Sequence, residues 1–269
     1  MNIHFKDKEL FENLKLATIA KVKVGSHLYG TNDIFGKSDE DYLYIYATSD
    51  NELKSFIWTN HQLQYKEEGI DHNFVSIHSF IRNCLNGDST INFEVIQSDE
   101  LLGTRLDFLT ENKKAFHTYT IIRSYLGLCN RDVKHYYKAS TDLLKKKRLG
   151  HIVRGWLYAF DLLHNEFDFN SLNEELKIRL KNLDVSNNDN LKNYKELIPN
   201  LRTELNQKLD SNTLGLSKLI RVDDAKIIND KLLELVNSDS YRYRQSYIED
   251  FDMNYFINAF ENWVEYDNK

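Results

Sequence analysis

The sequence contains little that would break a helix or cross-link the chain: one proline and two cysteines in 269 residues. Because proline is poorly tolerated inside helices, its scarcity permits long uninterrupted helices. Cys84 and Cys129 lie in apolar surroundings without a partner motif. We therefore expect both to be reduced core residues rather than a disulfide or part of a metal site.

Long apolar runs and an excess of basic residues are also absent. No run of about 18 apolar residues is present, and the opening MNIHFKDKELFENLK lacks the apolar segment of a signal peptide. We therefore expect no membrane partner and a cytoplasmic location. The net charge of −6 argues against a protein whose main task is to coat nucleic acid, although it leaves room for a local basic patch. No Ser-His-Asp or Cys-His catalytic set is evident in the sequence.

The most informative stretch is residues 21–46, KVKVGSHLYGTNDIFGKSDEDYLYIY. A short apolar strand containing Val22 and Val24 stops at Gly25-Ser26. The acidic string Ser38-Asp39-Glu40-Asp41 then leads into a second strand at residues 42–46, rich in aromatic and β-branched residues. Two predicted strands are thus joined by a polar loop that carries the candidate chemistry.

Asp39 and Asp41 project from the same face because side chains alternate along a strand. A divalent cation would remove the repulsion between two such carboxylates, and ligands that are all oxygen favour Mg²⁺. Gly25 lets backbone N–H groups approach a phosphate, and Ser26 can donate its hydroxyl. Together these residues predict a nucleoside triphosphate site. The alternative is that the acidic string is a solvated turn.

Gly25-Ser26, Gly30 and the acidic string followed by a hydrophobic strand resemble the signature of the DNA polymerase β-like nucleotidyltransferase superfamily. The form GSHLYGT…SDEDY is most similar to predicted nucleotidyltransferases of bacteria and large phages. The resemblance implies an α+β fold with a small, mixed, palm-like β-sheet. It also implies transfer of a nucleoside monophosphate from a triphosphate, with ATP as the expected nucleotide, to a hydroxyl with release of pyrophosphate. Two Mg²⁺ ions are the implied cofactors.

The acceptor is not identified by the resemblance: RNA, protein and small molecules are all acceptors within the superfamily, and fold does not choose among them. Two other classes of function stay open. One is a nucleotide-binding or regulatory module that does not catalyse. The other is a scaffold whose helical half binds a partner protein.

A third carboxylate is implied by the same resemblance. In the relatives it lies a few residues before a Ser-x-x-x-Phe segment, which Ser76 and Phe80 match, so Asp71 is the candidate. Its implied role is to bind one metal ion and to accept the proton of the attacking hydroxyl. The alternative is an aspartate at a strand edge. Glu94 is the fallback third acid or positions the nucleotide, unless it pairs with a nearby Lys or Arg.

From Leu101 onward strand signals vanish and helical periodicity takes over. We therefore predict a catalytic domain over residues 1–105 and an all-helical domain over 106–269. The predicted helices of the second part cover residues 115–129, 133–148, 150–164, 171–183, 191–209, 223–236 and 241–266.

Lys147, His151 and Arg154 fall at i, i+4 and i+7, which places three basic groups on one stripe of a helix. Facing the site, the stripe would neutralise triphosphate charge and bind the nucleotide, and relatives carry a similar pattern. The alternative is a solvated face with salt bridges to Asp142 or Asp161.

A basic cluster, Lys145-Lys146-Lys147-Arg148, overlaps this stripe. It is either a contact for an RNA phosphate backbone or ordinary surface.

Overall fold

The structure is a computed structural model that describes residues 2–32, 34, 39–50, 62–183, 189–211, 213, 216–217 and 220–248. Ser38 of the acidic string and the part of the predicted 241–266 helix after residue 248 lie outside these ranges. Within them the chain is mixed α+β, with its strands before residue 77 and all of its α-helices except Lys8–Leu16 after them, which confirms the expected fold class at that level.

Five described strands form one mixed β-sheet with the order β1-β4-β5-β3-β2. β3 pairs with β5 and β1 with β4 in parallel, whereas β2 with β3 and β4 with β5 are antiparallel. The strands are β1 Asn2–His4, β2 Thr18–Val24, β3 Glu40–Tyr46, β4 Gln62–Glu67 and β5 Ile70–Ser76.

Four helices accompany the sheet in the first part of the described chain. They are α1 Lys8–Leu16, α2 Ile77–Asn86, α3 Thr90–Gln97 and α4 Asp107–Glu111. Side chains cap α1 to α3 at the N-terminus, where Asp7, Ser76 and Ser89 accept backbone N–H bonds. The periodicity around α1 predicts a helix reaching Ala20, which is wrong: the helix ends at Leu16, and the β-branched pair Thr18-Ile19 belongs to β2.

Six further helices follow in the part of the chain that the structure describes. They are α5 Tyr119–Lys138, α6 Asp142–His164, α7 Phe169–Lys181, α8 Asp189–Asp210, α9 Val222–Val236 and α10 Asp239–Gln245. The predicted boundary between helices 133–148 and 150–164 is wrong, since α6 runs through residue 149 without a break. The break lies instead at residues 139–141, where the Thr141 hydroxyl caps α6 by accepting the Leu144 N–H.

The two faces of the sheet pack against different helices because side chains alternate along each strand. On one face Tyr44 and Phe74 pack with Phe11 of α1. On the other, Leu43 and Val75 join a larger core that includes buried residues of α2, α3, α5, α6 and α7. Asp39 and Asp41 share the parity of Leu43, and Asp71 that of Val75, so all three acids belong to the face covered by the later helices.

No helix within the described ranges combines the length and the apolar character needed to cross a membrane. Both cysteines are buried and free, as expected.

Candidate active site

A cleft of about 360 Å³ opens between one end of the sheet and helices α6 and α7. Residues at the end of β2, at the start of β3 and near the start of β5 form one wall, and the N-terminal half of α6 faces them. Eight residues that the sequence predicts for the site line this cleft: Gly25, Ser26, Asp39, Asp41, Asp71, Lys147, His151 and Arg154.

The carboxylates come together through strand register. Asp41 of β3 lies directly opposite Asp71 of β5 in a parallel pairing, and Asp39, just before the start of β3, lines the same cleft. Burial, followed by the negative charges of Asp71 and Asp39, raises the pKa of Asp41 from 3.8 to about 6 against the opposing effect of Lys66 and Lys147. The free protein therefore holds Asp41 in a site where its negative charge is not fully compensated.

Asp71 is tied to its neighbouring strand. The Lys66 Nζ atom lies 3.0 Å from Asp71 Oδ2, and the Gln64 amide donates to the same oxygen at 3.2 Å. The Lys66 side chain is 54% exposed and is therefore able to leave the carboxylate for solvent. Asp71 is both close to Asp41 and partly neutralised by a displaceable cation.

Within the described ranges, no three His, Cys, Asp or Glu side chains already stand close enough together to ligate a metal ion. The chemistry of the donor set nevertheless fits a hard cation. The three acids lining the cleft offer only oxygen atoms, which Mg²⁺ prefers. Burial first, and then repulsion from Asp71 and Asp39, raise the pKa of Asp41, and a bound cation would stabilise the negative charge that both effects disfavour.

Gly25 and Ser26 form a tight turn at the end of β2. The 3₁₀ turn Gly25–His27 begins with Gly25 at φ +68°, and the Thr31 N–H donates to the Ser26 carbonyl at 2.8 Å. A Cβ atom on Gly25 would lie 2.6 Å from Asp41 Oδ2, so only glycine leaves room for the carboxylate there. The turn thus sets a backbone segment directly beside the acids.

The basic stripe forms the opposite wall. Lys147, His151 and Arg154 line the cleft from α6. The fully buried Asp132 of α5 lies beneath His151, with 3.7 Å between His151 Nδ1 and Asp132 Oδ1, and also accepts a 3.0 Å bond from Arg148. The salt bridges offered as an alternative for the stripe do not form with Asp142 or Asp161: those seen go to Asp132 and, from Arg154, to Glu94.

Glu94 of α3 is fully buried and does not line the cleft. It accepts hydrogen bonds from the hydroxyls of Tyr29 and Tyr125, the latter at 2.9 Å, and lies 3.6 Å from the Arg154 Nε atom. Arg154 in turn stacks over the Tyr29 ring, 4.1 Å from its centre. Of the three roles open to Glu94, pairing with an arginine is the one that the structure shows.

Sequence reasoning missed part of the cleft. Tyr29, Thr31 and Asn32 line it beside Ser26, and Leu176 and Leu180 contribute from α7. Tyr29 stands inside the GSHLYG motif, so its position in the motif was a usable signal. The two leucines carry none, because they are ordinary core positions of an amphipathic helix.

Comparison of the chain with protein-family models, with curated proteins and with solved structures gives no match. The cleft itself is therefore the feature from which a function can be inferred.

Proposed function

We propose that the protein is a magnesium-dependent nucleotidyltransferase. It would transfer a nucleoside monophosphate from a nucleoside triphosphate, with ATP the first nucleotide to test, to a hydroxyl of an acceptor. The observation that carries the proposal is the convergence on one cleft of three acids, a glycine-serine turn and a basic stripe drawn from distant parts of the sequence. The sheet and its flanking helices would then be a palm-like domain over residues 1–105, followed by a helical domain over 106–269.

The three acids would be the metal ligands. Asp39 and Asp41 would hold two Mg²⁺ ions, with Asp71 completing the site after Lys66 moves away. Bound there, the metal would supply charge neutralisation to the triphosphate and to the transition state. Carboxylates, glycine and serine suffice for this reaction because phosphoryl transfer needs positioning and charge neutralisation more than covalent catalysis.

The remaining residues bind and orient the nucleotide. Gly25 would present backbone N–H groups, and Ser26 its hydroxyl, to the β- or γ-phosphate. Lys147, His151 and Arg154 would face the triphosphate from the other wall of the cleft. Buried Asp132 holds His151 in place, and buried Glu94 holds Arg154.

The reaction is an in-line displacement. The acceptor oxygen forms a bond to the α-phosphorus while the bond from that phosphorus to the bridging oxygen of the β-phosphate breaks. Pyrophosphate leaves with the electron pair of the broken bond, and the proton of the attacking hydroxyl passes to the Asp71 carboxylate.

The test is incubation of the purified chain with Mg²⁺, each labelled triphosphate in turn and a mixture of cellular RNA, protein and small molecules. We expect pyrophosphate release and label in one acceptor fraction. Asp39→Ala and Asp41→Ala should each abolish transfer while keeping the wild-type circular dichroism spectrum, and Asp230→Ala on the exposed face of α9 serves as the control. Full activity in both cleft variants would end the assignment, and nucleotide binding without pyrophosphate release would identify a non-catalytic module.

A further inference from the structure

Positive charge is concentrated at one end of the α5–α6 helical pair. Residues 131–148, which we call the hairpin tip, contain seven Lys or Arg residues and two Asp residues, a net charge of +5 in a chain whose total is −6. The tip comprises the end of α5, the turn at residues 139–141 and the first two turns of α6. Such segregation creates a local positive potential on a protein that is otherwise acidic.

The two acids of the tip compensate its arginines more than its lysines. Asp132 is fully buried and pairs with Arg148 at 3.0 Å and with Arg131 at 3.7 Å. Asp142 is exposed and makes a 3.6 Å contact with Lys145, a kind of pair that contributes little in solvent. Lys134 and Lys138 are exposed, and neither forms an ion pair with a residue in the described ranges.

Exposed apolar side chains lie among these cations. Tyr137 is 63% exposed, and Leu143 and Leu144 are 51% and 42% exposed. The Lys195 ammonium lies 5.4 Å from the centre of the Tyr137 ring and 3.3 Å from its hydroxyl. An exposed aromatic ring beside a cation, on a surface rich in lysine, is an arrangement with which proteins bind single-stranded nucleic acid, because a base stacks on the ring while lysines contact the phosphates.

The tip is continuous with the cleft through Lys147, which belongs to the tip and also lines the cleft. Leu143 lies one helical turn further out on the same face of α6. Arg154, Lys147 and Leu143 therefore mark a path from the floor of the cleft to the tip, about 16 Å long at the rise of an α-helix.

We propose that the hairpin tip binds the single-stranded end of a nucleic acid and so directs its terminal hydroxyl to the cleft. The role of this nucleic acid as the acceptor depends on the proposed transferase activity, whereas its binding to the hairpin tip does not. An acidic protein would satisfy the lysines, but it would leave the exposed tyrosine without a stacking partner. RNA and DNA share the chemistry that the tip recognises.

The test measures binding of fluorescein-labelled RNA and DNA 20-mers of one sequence, by anisotropy, from 50 to 200 mM salt. The tip variant is Lys134→Gln/Lys138→Gln/Lys145→Gln, and the control variant is Lys6→Gln/Lys8→Gln/Lys226→Gln, which removes the same charge from exposed positions on β1–α1 and α9. In the tip variant we expect Kd to rise at least about tenfold and the slope of log Kd against log salt to fall by about 2, from three lost phosphate contacts. Tyr137→Ala should weaken binding about 5- to 100-fold without changing the slope, since stacking is not a charge effect.

Equal weakening in the tip and control variants would overturn the inference, as would the absence of wild-type binding or displacement of the oligonucleotide by polyglutamate at equal charge. Tighter binding of RNA than of DNA, or the reverse, identifies which nucleic acid is the ligand. The proposed activity is judged separately by pyrophosphate release: Asp41→Ala should lose it and keep wild-type oligonucleotide affinity. Binding without any pyrophosphate release by the wild-type protein would remove the transferase proposal and leave the binding surface standing.

Discussion

A Cβ atom on Gly25 would lie 2.6 Å from the Oδ2 atom of Asp41. No real side chain tolerates such a contact, and Gly25 also has φ +68°, where L residues are strained. The end of β2 therefore approaches a proposed metal ligand so closely that residue 25 has to lack a side chain. The turn at Gly25 and the Asp41 carboxylate are therefore packed directly against each other.

Gly25→Ala should inactivate the protein at a modest cost in stability. The methyl group displaces the Asp41 carboxylate, and misplacement of a catalytic group by about 1 Å costs on the order of 100-fold in rate. Gly103→Ala is the matched control, because Gly103 has φ +72° and nothing within 4 Å of its Cβ position. Both variants should lose about 1 to 2 kcal/mol in urea unfolding, and only Gly25→Ala should lose pyrophosphate release. Equal activity in the two variants would contradict the close approach.

The pKa of Asp41 gives a prediction for stability. Burial and the charges of Asp71 and Asp39 raise it from 3.8 to about 6, so ionising Asp41 in the folded, metal-free protein is unfavourable. Protonated Asp41 carries no such penalty. The contribution of Asp41 to the free energy of unfolding is therefore most favourable below pH 4 and is lost as the pH rises through 6. Asp41→Asn should therefore stabilise the metal-free protein at pH 7.5 by about 1 to 2 kcal/mol, a value reduced for the solvent that screens this partly exposed carboxyl, and the gain should shrink between pH 6 and pH 4.

Urea unfolding in EDTA across this pH range measures the effect. Saturating Mg²⁺ should reduce the gain, since the metal stabilises only the protein that retains the carboxylate. A gain that does not depend on pH would mean that the charge of Asp41 is not the cause.

Local sequence predicts the elements of the site better than their connections. Alternation along a strand places Asp39 and Asp41 on one face without knowledge of the rest of the fold. The pairing of Asp41 with Asp71 depends on the register between β3 and β5, which only the motif resemblance indicated. The contact between Glu94 and Arg154 depends on how α3 packs against α6, so spacing cannot reveal it. The helix boundary predicted beside Gly150 does not form, because burial inside a packed helix outweighs the roughly 1 kcal/mol that glycine costs.

The buried pair of Glu94 and Arg154 should show strong energetic coupling. Glu94→Gln leaves the guanidinium as an uncompensated buried charge, and Arg154→Met leaves the carboxylate with only two tyrosine hydroxyls, so each should cost about 3 kcal/mol or more. The double variant should cost clearly less than the sum of the two, as measured by urea unfolding in a double-mutant cycle.

The exposed pair of Lys231 and Glu234, 2.9 Å apart, is the control for that cycle. Coupling in Lys231→Met/Glu234→Gln should be close to zero because solvent screens both charges. Additive costs in the buried pair would contradict the ion pair as the source of stability.

Lys66 should act as a competitor of the metal. Its ammonium lies 3.0 Å from Asp71 Oδ2, and a divalent cation binding to that carboxylate has to displace it and is repelled by it. Lys66→Met should therefore tighten Mg²⁺ binding several-fold in isothermal titration calorimetry. Lys23→Met is the matched control, since Lys23 makes a 2.8 Å contact with Glu40, which does not line the cleft, and its loss should leave Mg²⁺ affinity unchanged. Weaker Mg²⁺ binding in Lys66→Met would show that Lys66 supports Asp71 in the metal-bound protein instead of leaving it.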